Sequence, residues 1–129
     1  MLRQSLFTIT VLAITFSLIS AQDKESGNPV MKNYFMVFLK KGPHRDQDSV
    51  EVEKLQKAHM DNITKLAQSG KLDVAGPFLD DGDLRGIFVF DVPTLEEAKR
   101  LTETDPAIKS GRLSYEIHPF MTQQGVCFK

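Results

Sequence analysis

The chain has few means other than packing to hold itself together. It contains one cysteine, Cys127, so no disulfide can form within it. A lone Cys third from the end is a free thiol or a bridge to another chain, and it reads as part of a tail rather than as a nucleophile. Basic excess is also missing, with 16 Lys and Arg against 17 Asp and Glu. Nucleic-acid binders carry a basic patch or stripe, and none is visible, so nucleic acid is not an expected partner. No internal repeat or long low-complexity tract divides the 129 residues, which suit a single domain after its leader. The three histidines, His44, His59 and His118, lack metal-ligand spacing. Asp80-Asp81-Gly82-Asp83 lacks the later Glu of a calcium loop and reads as a solvated turn, so no metal site is expected.

What is present begins with an export pattern. Arg3 supplies a positive start, Leu6 to Ile19 holds only apolar residues interrupted by Thr and Ser, and Ser20-Ala21 precedes the polar Gln22-Asp23. That is the layout of a secretory signal peptide, residues 1–21, cut after Ala21. Ile19 is larger than is usual three residues before a cut. A membrane-spanning helix needs about 20 apolar residues, and Gln22 to Glu25 close the run too early. The expected product is periplasmic or secreted, with no membrane span after cleavage. Its charge is near neutral, since the signal removes one cation.

Residues 22–33 are polar and contain Gly27 and Pro29, and they read as a flexible leader. Tyr34 to Lys40 is apolar on both alternating faces, as expected of a strand covered on two sides. A helix is expected from Ser49 to Ser69, stopped by Gly70. Leu72 to Phe78 reads as a strand whose Gly76-Pro77 pair fits an edge or a bulge better than a sheet centre, and Arg85 to Val92 as a central one. Thr94 and Glu97 have the order of a capping box and start a second helix, which ends near Asp105-Pro106. Pro106 to Ser110 forms a short extra turn before an edge strand, Leu113 to His118. The domain spans 34–121, with 122–129 as tail. Strand, helix, strand, strand, helix, strand is the order of an α+β, ferredoxin-like fold with a four-stranded antiparallel sheet. Two helices cover only one face of such a sheet, yet both central strands are apolar on both faces. The expected cover for the second face is a second copy of the chain, giving a homodimer through the open sheet face.

At about 100° per residue, Val52, Leu55, Ile63 and Leu66 form one stripe of the first helix, and His59 falls in its middle. One reading is a core histidine satisfied by backbone or a Tyr; the other is a pocket in which His59 acts as acid, base or ligand near neutral pH. Asp105 continues the buried phase of the second helix, between Leu101 and Thr102 in direction. It also fits a helix cap, since Asp before Pro is a common N-cap and first-turn pair. A His–Asp pair would fix the imidazole tautomer and stabilise the imidazolium. Gly76-Pro77 beside Phe78 would bring bare backbone to a bound ligand, or simply kink the strand. Ser110-Gly111 and Tyr115 are weaker candidates for a pocket wall.

These residues carry a resemblance. His59 in KAHMDNITKLAQSGKL, the AGPF segment Ala75 to Phe78, the helix TLEEAKRLTETDPAIKSG with Asp105-Pro106, and the closing HPF at His118 to Phe120 together resemble the YCII-related family, small proteins of the dimeric α+β barrel type. The resemblance spans about Tyr34 to Phe120. It implies a ferredoxin-like subunit, a dimer through the open sheet face, and an active site around a His–Asp pair at His59 and Asp105. One branch of the family resembles a dehydrochlorinase of hydroxylated aromatics, and related barrels include isomerases and monooxygenases that need no metal. The chain departs from the family in its export signal and in its charged first loop, Lys41 to Asp48.

Three functions are compatible with these features. The first is a cofactor-free enzyme in which His59 moves a proton on a small aromatic or enolisable molecule, oriented by Asp105, with Gly76, Pro77 and Phe78 against the substrate. A non-catalytic dimer capturing a small ligand is the second. The third is a structural dimer without a ligand. Export favours chemistry that needs no soluble cytoplasmic cofactor.

Overall fold

The computed structural model describes residues 28–126. The signal segment 1–21, the first part of the leader and Cys127 lie outside the described residues. The elements run β1 (Met31–Lys41), α1 (Ser49–Gln68), β2 (Leu72–Pro77), β3 (Leu84–Phe90), α2 (Leu95–Thr102), α3 (Pro106–Lys109) and β4 (Leu113–Gln123). The four strands form one sheet in the order β2-β3-β1-β4, and each neighbouring pair is antiparallel. This is the α+β, ferredoxin-like arrangement, with β1 and β3 central and β2 and β4 at the edges.

Side-chain alternation explains how the layers pack. Val37 and Leu39 of β1 and Phe88 and Phe90 of β3 point to one face, where Leu66 of α1 and Ala98 and Leu101 of α2 close over them. Phe88 and Phe90 are almost fully buried, and each contributes about 1.5–3 kcal/mol by leaving water. Tyr34, Met36, Phe38, Ile87 and Val89 alternate with that set and occupy the opposite face. No helix among the described residues is long and apolar enough to cross a membrane.

Local chemistry sets the helix ends. Asp48 caps α1 by accepting the backbone N–H of Glu51 at 2.9 Å, and Gly70 leaves the helix with φ of 70°, where a side chain would be strained. Thr94 caps α2 by accepting from the N–H of Glu97 at 3.1 Å. The reciprocal half of the expected capping box is absent. The Glu97 carboxylate instead takes Lys71 Nζ, whose bond holds its pKa below the usual carboxylate range.

Three boundaries differ from those read in the sequence. The first strand begins at Met31, inside the expected leader, because Met31 to Asn33 pair with Gln123 to Met121 of a longer last strand. That last strand continues past His118 to Gln123, and Pro119 is tolerated within it because an edge strand can do without one ladder donor. The second helix stops at Thr102, where Thr102 Oγ1 bonds back to the Ala98 carbonyl at 2.8 Å. Asp105 therefore does not continue that helix. It is the N-cap of α3.

Candidate active site

His59 sits in the middle of α1 on the side that packs against the sheet, with its ring nearly parallel to that of Phe88, centroids 6.1 Å apart. Its Nδ1 lies 2.6 Å from Oδ2 of Asp105. The Asp105 side chain is completely buried and His59 is 13 % exposed, so the pair runs from the core to the edge of a cavity. A carboxylate without water is costly unless its oxygens are bonded. Here Oδ2 meets His59, and Oδ1 accepts the N–H of Ala107 at 2.8 Å. Both readings of Asp105 are thus realised together: it caps α3 with one oxygen and holds the imidazole with the other.

Against an ionised carboxylate, which only accepts, Nδ1 is the donor, and in the neutral ring the lone pair is then on Nε2. Among the described residues Nε2 has no hydrogen-bond partner, and His59 lines the cavity.

The cavity encloses about 310 Å³, at the small end of the range for ligand sites. Its wall is largely apolar, with Leu39, Leu55, Ile63, Phe88 and Leu113, and it has room for a single-ring compound. Ala75, Gly76 and Pro77 of β2 form one side. The glycine that positions them is Gly86 on β3: a Cβ there would stand 2.5 Å from the Gly76 carbonyl oxygen and 3.2 Å from Pro77 Cα. A Cβ on Gly76 itself would meet nothing within 4 Å. Of the three expected ligand contacts, Gly76 and Pro77 line the cavity, whereas Phe78 lies just past the end of β2 and does not. Phe78 lies beyond the last strand residue, where its N–H bonds the Arg85 carbonyl at 3.0 Å.

The remaining candidates fall elsewhere. Ser110 closes α3 by donating to the Ala107 carbonyl, and Tyr115 donates its hydroxyl to Glu103 at 2.7 Å. Burial, and then this bond, push the Tyr115 phenol up to about 12. His118 packs edge-on against Phe38 on the opposite face of the sheet. Among the described residues, no three His, Cys, Asp or Glu side chains come together as metal ligands.

Three arginines at the cavity were not singled out from the sequence. Arg45 comes from the first loop, Arg85 from the start of β3 and Arg112 from the residue before β4. Arg45 donates to the Arg112 carbonyl at 2.9 Å, and Arg112 donates to Gln47 at 3.1 Å. Arg85 reaches the Gly82 carbonyl at 3.2 Å. Burial, followed by the neighbouring charges of Arg112 and Arg85, lowers the Arg45 pKa from its ordinary value.

A family model for the YCII-related domain matches residues 34–121, most of the chain. The chain belongs to the YCII-related family. No curated protein matches it. Among solved structures, this YCII-related chain is similar to 5-chloro-2-hydroxyhydroquinone dehydrochlorinase of Burkholderia phenoliruptrix AC1100, in complex with 2,5-dihydroxybenzoquinone. The two are 23 % identical, with 67 % of this chain and 92 % of that one covered and a TM-score of 0.51. At this identity the likeness is one of fold.

Proposed function

We propose that this YCII-related domain is an acid–base enzyme acting on a small aromatic or enolisable molecule, with His59 as the proton-transferring group and Asp105 as its positioning residue. One observation carries the reading: Nδ1 of His59 is committed to a buried carboxylate, while its other ring nitrogen has no partner among the described residues and the residue lines a ligand-sized cavity. Nε2 takes a proton from a C–H or O–H of the substrate, leaving an enolate or phenolate and an imidazolium. Asp105 stabilises that imidazolium, and the proton returns to another atom of the same molecule or leaves with a departing group. Gly76 and Pro77 present backbone to the substrate. The fold's likeness to an enzyme of a hydroxylated aromatic supports the substrate class without assigning the reaction.

Solvent deuterium exchange into hydroxylated aromatics and enolisable carbonyl compounds, followed by NMR, tests this. Exchange that His59→Gln abolishes in a folded protein supports the enzyme. Binding without exchange would favour capture of a small ligand instead.

The site is further proposed to work outside the cytoplasm, on the strength of residues 1–21, and in a homodimer formed through the sheet face that bears Met36, Phe38 and Ile87. Amino-terminal sequencing of the exported protein addresses the first point; an intact Met1 would contradict it.

A further inference from the structure

The cavity is ringed by positive charge with no carboxylate among its lining residues. Arg45, Arg85 and Arg112 reach it from three separate segments, and His59 is the one other titratable group on its wall. Each guanidinium is tied to the protein through Nη1: Arg45 to the Arg112 carbonyl, Arg85 to the Asp80 and Gly82 carbonyls, Arg112 to Gln47. Their Nη2 and Nε groups have no hydrogen-bond partner among the described residues. Of the acids, Asp105 lies behind the wall and is bonded to His59 and to the Ala107 N–H, and Asp81, 3.6 Å from Arg85, is fully exposed, so water screens it. Three like charges held together, Arg85 and Arg112 half-buried and Arg45 exposed at the rim, repel one another without an anion. Burial first, and then the charges of Arg112 and Arg85, lower the Arg45 pKa, with Asp81 acting the other way.

We propose that the cavity takes an anionic small molecule, whose carboxylate or enolate oxygens are gripped by Arg45, Arg85 and Arg112 while its reacting atom lies against His59 Nε2. This rests on the acid–base reading of His59 and supplies its substrate class. Planar guanidinium forks match the two oxygens of a carboxylate or of a vicinal hydroxy-enolate. An arginine cluster beside the base would also favour charge that builds on oxygen as the proton leaves. Orientation and charge stabilisation then come from the same groups.

The test uses matched pairs that differ in charge but little in shape: benzoate against benzamide, and salicylate against salicylamide. Isotope-labelled protein is titrated with each, following the His59 ring and the arginine Nε–H signals by NMR. The expected result is binding of the anions about tenfold or more tighter than their amides, from charge-assisted hydrogen bonds, with shifts at all three arginines. Arg85→Gln and Arg112→Gln should each reduce that preference, and Arg85→Lys, which keeps charge and loses the fork, should retain part of it if the glutamine variants do not fold. Equal affinity for anion and amide, no binding by either, or a preference that survives the arginine substitutions would overturn the proposal. His59→Gln should keep the anion preference, so a failed proton-transfer reading leaves this measurement intact. Amides that shift His59 as strongly as the anions would remove the proposal and leave that reading standing.

Discussion

Asp105 joins two parts of the molecule: one carboxylate oxygen holds His59 across 46 residues of sequence, and the other caps the four-residue helix α3. Site geometry and local stability are therefore coupled, and substitutions at this position separate them. Asp105→Ala removes the cap, about 1 kcal/mol, and leaves a part-buried imidazole N–H unpaired, about 1–3 kcal/mol more. Denaturant unfolding should show a clear loss of stability.

Asp105→Asn keeps the shape and, through its one oxygen, the cap, but it turns an amide NH2 toward His59 Nδ1, which removes the charge that stabilises an imidazolium and favours the other ring tautomer. A small change in stability together with a fall in turnover of roughly 10²–10⁴ fold is expected, the range for loss of acid–base assistance. Comparing the unfolding midpoint with the exchange rate checks it. A variant that exchanges as fast as the native chain would leave Asp105 a cap only.

Gly86→Ala places a methyl 2.5 Å from the Gly76 carbonyl, against backbone that cannot swing away. The β2 and β3 strands would have to part, at about 1–3 kcal/mol, typical of overpacking. The cavity wall moves with β2, so ligand affinity should fall along with the unfolding midpoint. Gly76→Ala is the control for the unfolding midpoint alone, since its added carbon meets no protein atom.

Much of the fold was legible because apolar runs, caps and glycine stops act locally. Gly76-Pro77 kept β2 from the sheet centre, and the core face of α1 followed from its stripe. Strand ends were less legible, since Met31 is ordered by pairing with Gln123, a relation no local pattern contains. Asp105 was placed by extending a helix that in fact stops at Thr102; the turn after it, rather than helical phase, delivers the side chain to the core. The arginines were illegible for a different reason. Each reads as an ordinary solvated charge near a loop, and only sheet closure makes Arg45, Arg85 and Arg112 neighbours.

Tyr115 gives a pH prediction. Its folded-state pKa of about 12 stands above the value near 10 of an unfolded chain. The neutral phenol and its bond to Glu103 therefore contribute stability that is complete below about pH 10 and is lost as pH rises toward 12. Phenolate absorbance should show one tyrosine titrating near 12 in the folded protein. Glu103→Gln should bring that midpoint down only part of the way, because burial is the larger cause.

The second face of the sheet supplies the last prediction. Phe38 and Ile87 are paired across β1 and β3, with Met36 and Val89 beside them, on the side the helices do not cover. Lys40 and Glu116 lie farther toward the β4 side, 3.7 Å apart, which gives an apolar centre and a polar margin, as interfaces have. If two copies meet here, Phe38→Asp would bury a charge at the centre of both, twice by symmetry. In a lone subunit the same Asp would sit at a half-open surface at little cost. Sedimentation should therefore show a dimer for the native chain and a folded monomer for the variant. A native chain that sediments as a monomer at micromolar concentration would reject the dimer, and a variant that stays dimeric would move the interface elsewhere.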